Sequence, residues 1–182
     1  MIENGLNDLT VSGTCLEYGM QEGRLNEDIE SMPIVPYATA KDALRKALEE
    51  LNDQHNFSLK WPRLFYTYGQ GQNPNSLLSQ LDKALTNHEP VFNMSGGKQV
   101  RDYLPVEKAA EFIIKIALQK KLTGVINCCS GKPVTIEQFV RDYLQKKNRN
   151  IELNLGFYPY ADYEPMSFWG DNHKLKTILD NE

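Results

Sequence analysis

Residues 36–69 read PYATAKDALRKALEELNDQHNFSLKWPRLFYTYG, and this stretch decides the fold class. Pro36 opens a helical run over 37–51, since a proline's fixed φ and missing N–H are tolerated in a first helical turn. Ala43, Leu44, Ala47, Leu48 and Leu51 recur there at helical spacing, which predicts an inward apolar stripe. Residues 58–66 then read as a strand despite Pro62, and Gly69-Gln70-Gly71-Gln72-Asn73-Pro74-Asn75 as a turn-rich loop.

The alternation continues on both sides. Upstream, Leu9-Thr10-Val11-Ser12 is a β-type run broken by Gly13, followed by a polar, acidic loop through Glu30. Downstream, 76–87 reads as a helix with Leu77, Leu78, Leu81 and Leu85 on one side, and 91–94 as a strand stopped by Gly96-Gly97. A helix over 106–120 should turn Ala109, Ala110, Ile113, Ile114 and Ala117 inward. A strand at 124–129, a helix at 136–147 capped by Thr135, a strand at 151–155 and a last helix at 171–179 complete the pattern. There is no internal repeat, low-complexity tract or clear linker. Strands alternating with helices imply an α/β fold with a mostly parallel sheet.

Composition excludes several classes of function. A net charge of −4 over 182 residues does not suit phosphate-backbone binding, so nucleic acid is not an expected partner. No apolar run approaches the ~20 residues that span a bilayer, and residues 1–8 lack the apolar core of a signal peptide. Cys15, Cys128 and Cys129 are odd in number with two adjacent, which is no disulfide framework, and His55, His88 and His173 lack ligand spacing. The expectation is reduced, buried cysteines in a cytoplasmic protein without a metal.

The chemistry begins at Tyr37 and Lys41, one helical turn apart on one face. A nearby ammonium favours phenolate, so such a tyrosine can exchange a proton with an alcohol or carbonyl oxygen. Alone, Tyr-x-x-x-Lys is more often a solvated helix pair. Around it stand Ser12-Gly13-Thr14 at a strand end, Glu17-Tyr18-Gly19, the block from Arg63 to Gly69, and Arg101-Asp102-Tyr103-Leu104-Pro105-Val106. Four ordered blocks are far more specific than one, and the carboxyl end of a strand is where open α/β sheets bind ligands.

Together these blocks resemble the extended short-chain dehydrogenase/reductase family, and within it the NAD(P)-dependent nucleotide-sugar epimerases, dehydratases and 4-ketoreductases. The resemblance covers residues 9–179 and corresponds to the later portion of the family's chains. It implies the latter part of a Rossmann-like doubly wound sheet plus a small C-terminal substrate-binding α/β subdomain. Residues 1–70 would be the partial Rossmann-like portion carrying Tyr-x-x-x-Lys, and 71–182 the mainly substrate-binding portion. It assigns Thr14, Tyr37 and Lys41 as the catalytic set, with Tyr37 and Lys41 also touching NAD or NADP, and Thr14, Tyr66 and Arg101 touching a nucleoside-diphosphate sugar. A guanidinium fork at Arg101 suits a pyrophosphate.

Departures from the family pattern matter. Tyr66 stands where relatives usually carry an asparagine that contacts the sugar nucleotide. No arginine stands in Tyr160-Ala161-Asp162-Tyr163-Glu164-Pro165, upstream of Phe168-Trp169-Gly170-Asp171, where a second phosphate-gripping arginine is common. Dehydratases of the family carry an acidic pair just after the threonine. Here Cys15 and Leu16 follow, and Glu17 comes too late, which favours an epimerase or ketoreductase. The only Gly-x-Gly, Gly69 and Gly71, lacks a third glycine and reads as turn chemistry. The glycine-rich first turn that holds the cofactor pyrophosphate has no counterpart before Leu9, nor has the selector between NAD and NADP.

The expectation is therefore a fragment of such an enzyme, completed by an N-terminal half or by a second copy in a homodimer. The alternative is a non-catalytic remnant or sugar-nucleotide-binding module without its own cofactor. Aromatics at 157–160 and 168–169 are expected in the core rather than stacked on a base. Lys146-Lys147-Asn148-Arg149 reads as a helix-end basic run, and Glu107, Lys108, Glu111 and Lys115 as an exposed helix face.

Overall fold

The computed structural model describes residues 5 and 7–180. It opens with β1 (Asp8–Thr10) and β2 (Gly13–Thr14), one 3-10 turn (Cys15–Tyr18) and β3 (Gly23–Leu25), then α1 (Pro36–His55) and β4 (Ser58–Leu64). There follow β5 (Tyr66–Tyr68), α2 (Leu77–Thr86), β6 (Val91–Met94), β7 (Val100–Pro105), α3 (Val106–Leu118) and β8 (Gly124–Cys128). The chain closes with β9 (Pro133–Thr135), α4 (Ile136–Lys146), β10 (Glu152–Leu155), β11 (Phe168–Gly170) and α5 (His173–Leu179). Among the described residues no helix is long and apolar enough to cross a membrane.

β4 is the centre of the molecule. β1 and β2 lie end to end along one of its edges, Leu9 opposite Leu59 and Gly13 opposite Arg63, and β8 runs along the other with Pro62 opposite Ile126. All three pairings are parallel, and of the strand pairings among the described residues only β7 with β9 is antiparallel. This is the mixed α/β, mainly parallel fold that the alternation implies. Strand side chains alternate between faces, and β4 uses both. Lys60 reaches the Ala117 carbonyl of α3, while Trp61 and Arg63 reach Glu17 in the 3-10 turn, on the side where α1 packs.

Three apolar clusters support this frame. Leu104, Ala109, Ile116, Ile126, Cys128, Leu175 and Ile178 join α3 and α5 to the sheet. Leu78, Leu81, Leu85, Phe92, Met94, Val140 and Leu144 form a satellite core between α2, β6 and α4. Cys15, Tyr18, Leu25, Phe65, Cys129 and Phe168 form a third beyond the carboxyl ends of β2, β4 and β8. All three cysteines are buried and free, as expected. Thr135 accepts from the Gln138 N–H and caps α4.

Two predicted stripes point elsewhere. On α1 the inward residues are Ala38 and Asp42, while Leu44 is exposed and Ala43 and Ala47 face outward. The sheet presents Glu17 and Arg63 to this helix, so its polar side, Asp42 and Arg45, is the one drawn in. On α3 the inward residues are Ala109 and Ile116, with Phe112 and Ile113 half-covered, whereas Ala110 and Ile114 face out. β3 lies in the stretch that reads as a polar loop, and β7, β9 and β11 in stretches for which the sequence reading gives no strand.

Candidate active site

Gly13-Thr14 ends its strand at a backbone crowded enough to exclude any side chain. A Cβ on Gly13 would lie 2.0 Å from Trp61 Nε1. Thr14 caps the 3-10 turn: its hydroxyl accepts from the Leu16 N–H, and its own N–H donates to Glu17 Oε1 at 2.8 Å. Glu17 is fully buried. It accepts further hydrogen bonds from Trp61 Nε1 and pairs with Arg63 Nε at 2.8 Å. Arg63 continues to Ser31, and Arg45 bridges Glu17, Asp42 and Glu49, so the Thr14 turn and α1 share one charged network. Glu17 is thus consumed structurally, and burial pushes the Cys15 thiol well up. Neither residue supplies an acid next to Thr14.

α1 brings Tyr37 and Lys41 to the same strand end. Lys41 Nζ donates to the Ser12 carbonyl at 3.0 Å and stands 6.0 Å from the centre of the Tyr37 ring. The main-chain bond uses one of the three ammonium donors. Tyr37 is 57% exposed. An ammonium with donors to spare beside an open phenol is a donor set that fits the hydroxyls of a ribose. The structure therefore ties α1, which carries Tyr37 and Lys41, to the backbone two residues before Thr14. Gly69, by contrast, has φ +148° and would place a Cβ 2.5 Å from Val106 Cγ1, which is a close-approach turn before α2.

Arg101 and Asp102 sit side by side on β7 and point opposite ways. Asp102 is buried and accepts from the N–H groups of Ser130, Gly131 and Gly170 and from the Ser130 hydroxyl. Burial raises its pKa against the pull of those donors. Arg101 is 1% exposed, lies over the Phe168 ring at 4.6 Å and the Tyr66 ring at 5.7 Å, and pairs with Glu164 at 2.9 Å. That partner lies in the 160–165 stretch whose missing arginine the sequence makes conspicuous.

Tyr66 connects this cluster to a cleft. One side of its ring packs against the Cys15 cluster; the other lines a cavity of about 600 Å³ with Tyr68, Phe92, Asn93, Tyr103, Phe139 and Tyr158. Tyr103 and Phe139 stack face to face, centroids 3.7 Å apart at 3°. Burial pushes the Tyr103 phenol up to about 12. The expectation of core aromatics holds for Phe168 and fails for Phe157 and Tyr158, which are exposed, Tyr158 at the cleft. Tyr103, Phe139 and Asn93 do not stand out in the sequence as a site. Tyr103, next to Arg101-Asp102, is the signal that could have found it. Among the described residues no group of His, Cys, Asp and Glu could hold a metal.

Comparison with known proteins follows the same lines. Residues 1–129 match the model of the NAD dependent epimerase/dehydratase family. The chain is 28% identical over 171 residues to dTDP-6-deoxy-L-talose 4-dehydrogenase (NAD(+)) of Aggregatibacter actinomycetemcomitans, covering 93% of this chain and 63% of that one. It is 23% identical to GDP-6-deoxy-D-talose 4-dehydrogenase of the same organism, covering 91% of this chain and 56% of the relative. The chain thus spans about six-tenths of the length of these curated relatives. Among solved structures, UDP-glucuronic acid 4-epimerase from Bacillus cereus, in complex with UDP-glucuronic acid and NAD, superimposes with a TM-score of 0.84 at 22% identity, over 97% of this chain and 56% of that one. UDP-N-acetylglucosamine 4-epimerase from Methanobrevibacter ruminantium M1 gives 0.83 at 24% identity, over 97% and 58%.

Proposed function

The chain belongs to the NAD dependent epimerase/dehydratase family, and from that premise we propose that it carries the substrate-binding and proton-transferring groups of an NAD(P)-dependent nucleotide-sugar epimerase or 4-ketoreductase. The observation that carries the reading is the Lys41–Ser12 bond, which ties the α1 turn bearing Tyr37 to the backbone two residues before Thr14. Tyr37 exchanges the proton of a sugar hydroxyl or ketone, and Thr14 orients that oxygen. Lys41, beside the Tyr37 ring, holds the ribose hydroxyls of the cofactor. NAD(P), when bound, supplies the hydride acceptor or donor.

The aromatic cleft supports a nucleoside diphosphate as the handle of the sugar. The Tyr103–Phe139 stack presents ring faces on which a base packs, with Asn93 at the edge to hydrogen-bond it. Arg101, behind Tyr66, is the cation suited to the diphosphate. The carboxylates that could serve a dehydration are spoken for, since Glu17 is held by Arg63 and Trp61. That favours epimerisation or reduction of a 4-keto sugar.

Calorimetry tests the reading. UDP- and dTDP-hexoses should bind this chain more tightly than the corresponding hexose 1-phosphates, and Tyr103→Ala should erase the difference. Equal affinity for both classes would remove the cleft as a nucleotide site.

A further inference from the structure

Arg101 is not idle. Its Nη1 donates to the carbonyls of Val100 and Met166, and its Nη2 to Glu164 Oε2 at 2.9 Å. The two carbonyls fix the guanidinium in place; Glu164 alone supplies charge. Beside this pair, Arg101 Nε is buried without a hydrogen-bond partner, and the buried Tyr66 hydroxyl lies next to the Glu164 carboxylate. A buried donor without an acceptor is costly and rare in native proteins. The carboxylate meets the guanidinium through Nη2 and leaves Nε open to a further anionic oxygen.

The carboxylate is also mounted differently from the rest of the site. Glu164 lies in the segment between β10 and β11, which has neither helix nor strand. That segment is pinned at its two ends: the Phe157 N–H donates to the Met94 carbonyl, and the Val100 N–H to the Met166 carbonyl. Between the pins, Asp162 and Tyr163 are exposed, and the Glu164 side chain keeps 21% of its surface in water. Solvent therefore reaches the carboxylate although it does not reach Arg101.

We propose that Glu164 is a tethered carboxylate that competes with a ligand's diphosphate for Arg101, and so sets how tightly the cleft holds nucleoside diphosphates. This rests on the cleft's being a nucleotide site. A diphosphate entering past Tyr66 displaces Glu164 toward water. It offers several oxygens, enough to take over the Arg101 Nη2 donor and to reach the Nε donor that the carboxylate leaves unmet. The 160–165 stretch thus contributes an anion where a second arginine would have attracted the same ligand, and the chain selects against weakly held or singly phosphorylated nucleotides.

The test is calorimetric titration of UDP, dTDP and uridine into the chain and its Glu164→Gln variant. The glutamine keeps the shape and removes the charge. The diphosphates should bind the variant about tenfold tighter, the value of one charge-assisted hydrogen bond returned to the ligand, while uridine affinity stays unchanged. Glu164→Ala, which removes the carboxylate altogether, should shift diphosphate affinity the same way and serves where the glutamine variant fails to fold. Diphosphate affinity equal to or below that of the unaltered chain, with a lowered Tm, makes Glu164 a structural partner of Arg101 and overturns the proposal while the nucleotide reading stands. No diphosphate binding by any of the three proteins overturns both.

Discussion

Glu17 and Arg63 form an ion pair at 2.8 Å in which neither side chain is more than 2% exposed. The pair sits between the Thr14 turn and the middle of β4, and Trp61 and the Thr14 N–H share the same carboxylate. Its removal strands a charge. Glu17→Ala leaves the Arg63 guanidinium buried beside an empty volume, and such half-broken pairs cost ~3–5 kcal/mol. Urea denaturation should show a loss of that size for Glu17→Ala and a smaller one for Glu17→Gln, which keeps an acceptor for Trp61. A loss under about 1 kcal/mol for the alanine variant would mean the network relaxes around the gap.

Tyr37→Phe removes one oxygen from an exposed side chain and disturbs no packing. Loss of a general acid/base typically lowers the rate ~10²–10⁴-fold. In an assay of nucleotide-sugar turnover, kcat should fall by that factor while the dissociation constant of the sugar nucleotide is unmoved. A variant retaining more than half its activity takes Tyr37 out of the chemistry.

Acid should weaken the hold on the first strand. Asp8 pairs with Lys120 and Lys60, whose hydrogen bonds hold its carboxyl below the usual range. A carboxylate with a depressed folded pKa stabilises the fold above its unfolded value near 3.9, and that contribution is lost as pH falls through the folded value. The Asp8→Asn variant should therefore be less stable than the unaltered chain at neutral pH, the gap closing below about pH 4. The difference curve isolates Asp8 from Asp102, whose shift runs the opposite way. A gap that is constant with pH would assign Asp8 to packing.

Gly19 holds φ +68°, and a Cβ there would lie 1.9 Å from the Met32 carbonyl oxygen. The Met32 N–H in turn donates to the Glu17 carbonyl, so the collision would be felt in the turn that carries Thr14. Gly19→Ala should cost ~1–3 kcal/mol, as residues forced into strained backbone do. Thermal unfolding reads it. An unchanged Tm would show that the 20–32 loop yields freely.

The helices and the strands β1, β4, β6, β8 and β10 are legible in the sequence because each has one dominant period, whereas β7, which carries Arg101, is not. The α4 cap at Thr135 and the leucine face of α2 are read directly. What covers a stripe is not so legible. The α1 leucines have the right spacing, but the surface opposite that helix is built from Glu17 and Arg63, and the periodicity of α1 reports neither. The same holds for the site. Thr14, Tyr37 and Lys41 fall within 28 consecutive positions and announce themselves by motif. Arg101 and Glu164 are 63 positions apart, and only a fold joins them.

The Lys41 ammonium is anchored on a peptide oxygen, not on a side chain. That oxygen lies in the break between β1 and β2. Every residue type brings the same carbonyl, so position 12 is free to vary under mutation without unseating the lysine. A deep substitution scan should find Lys41 intolerant and its hydrogen-bond partner permissive. Ranking positions by mutational sensitivity would then recover one half of this contact and be blind to the other.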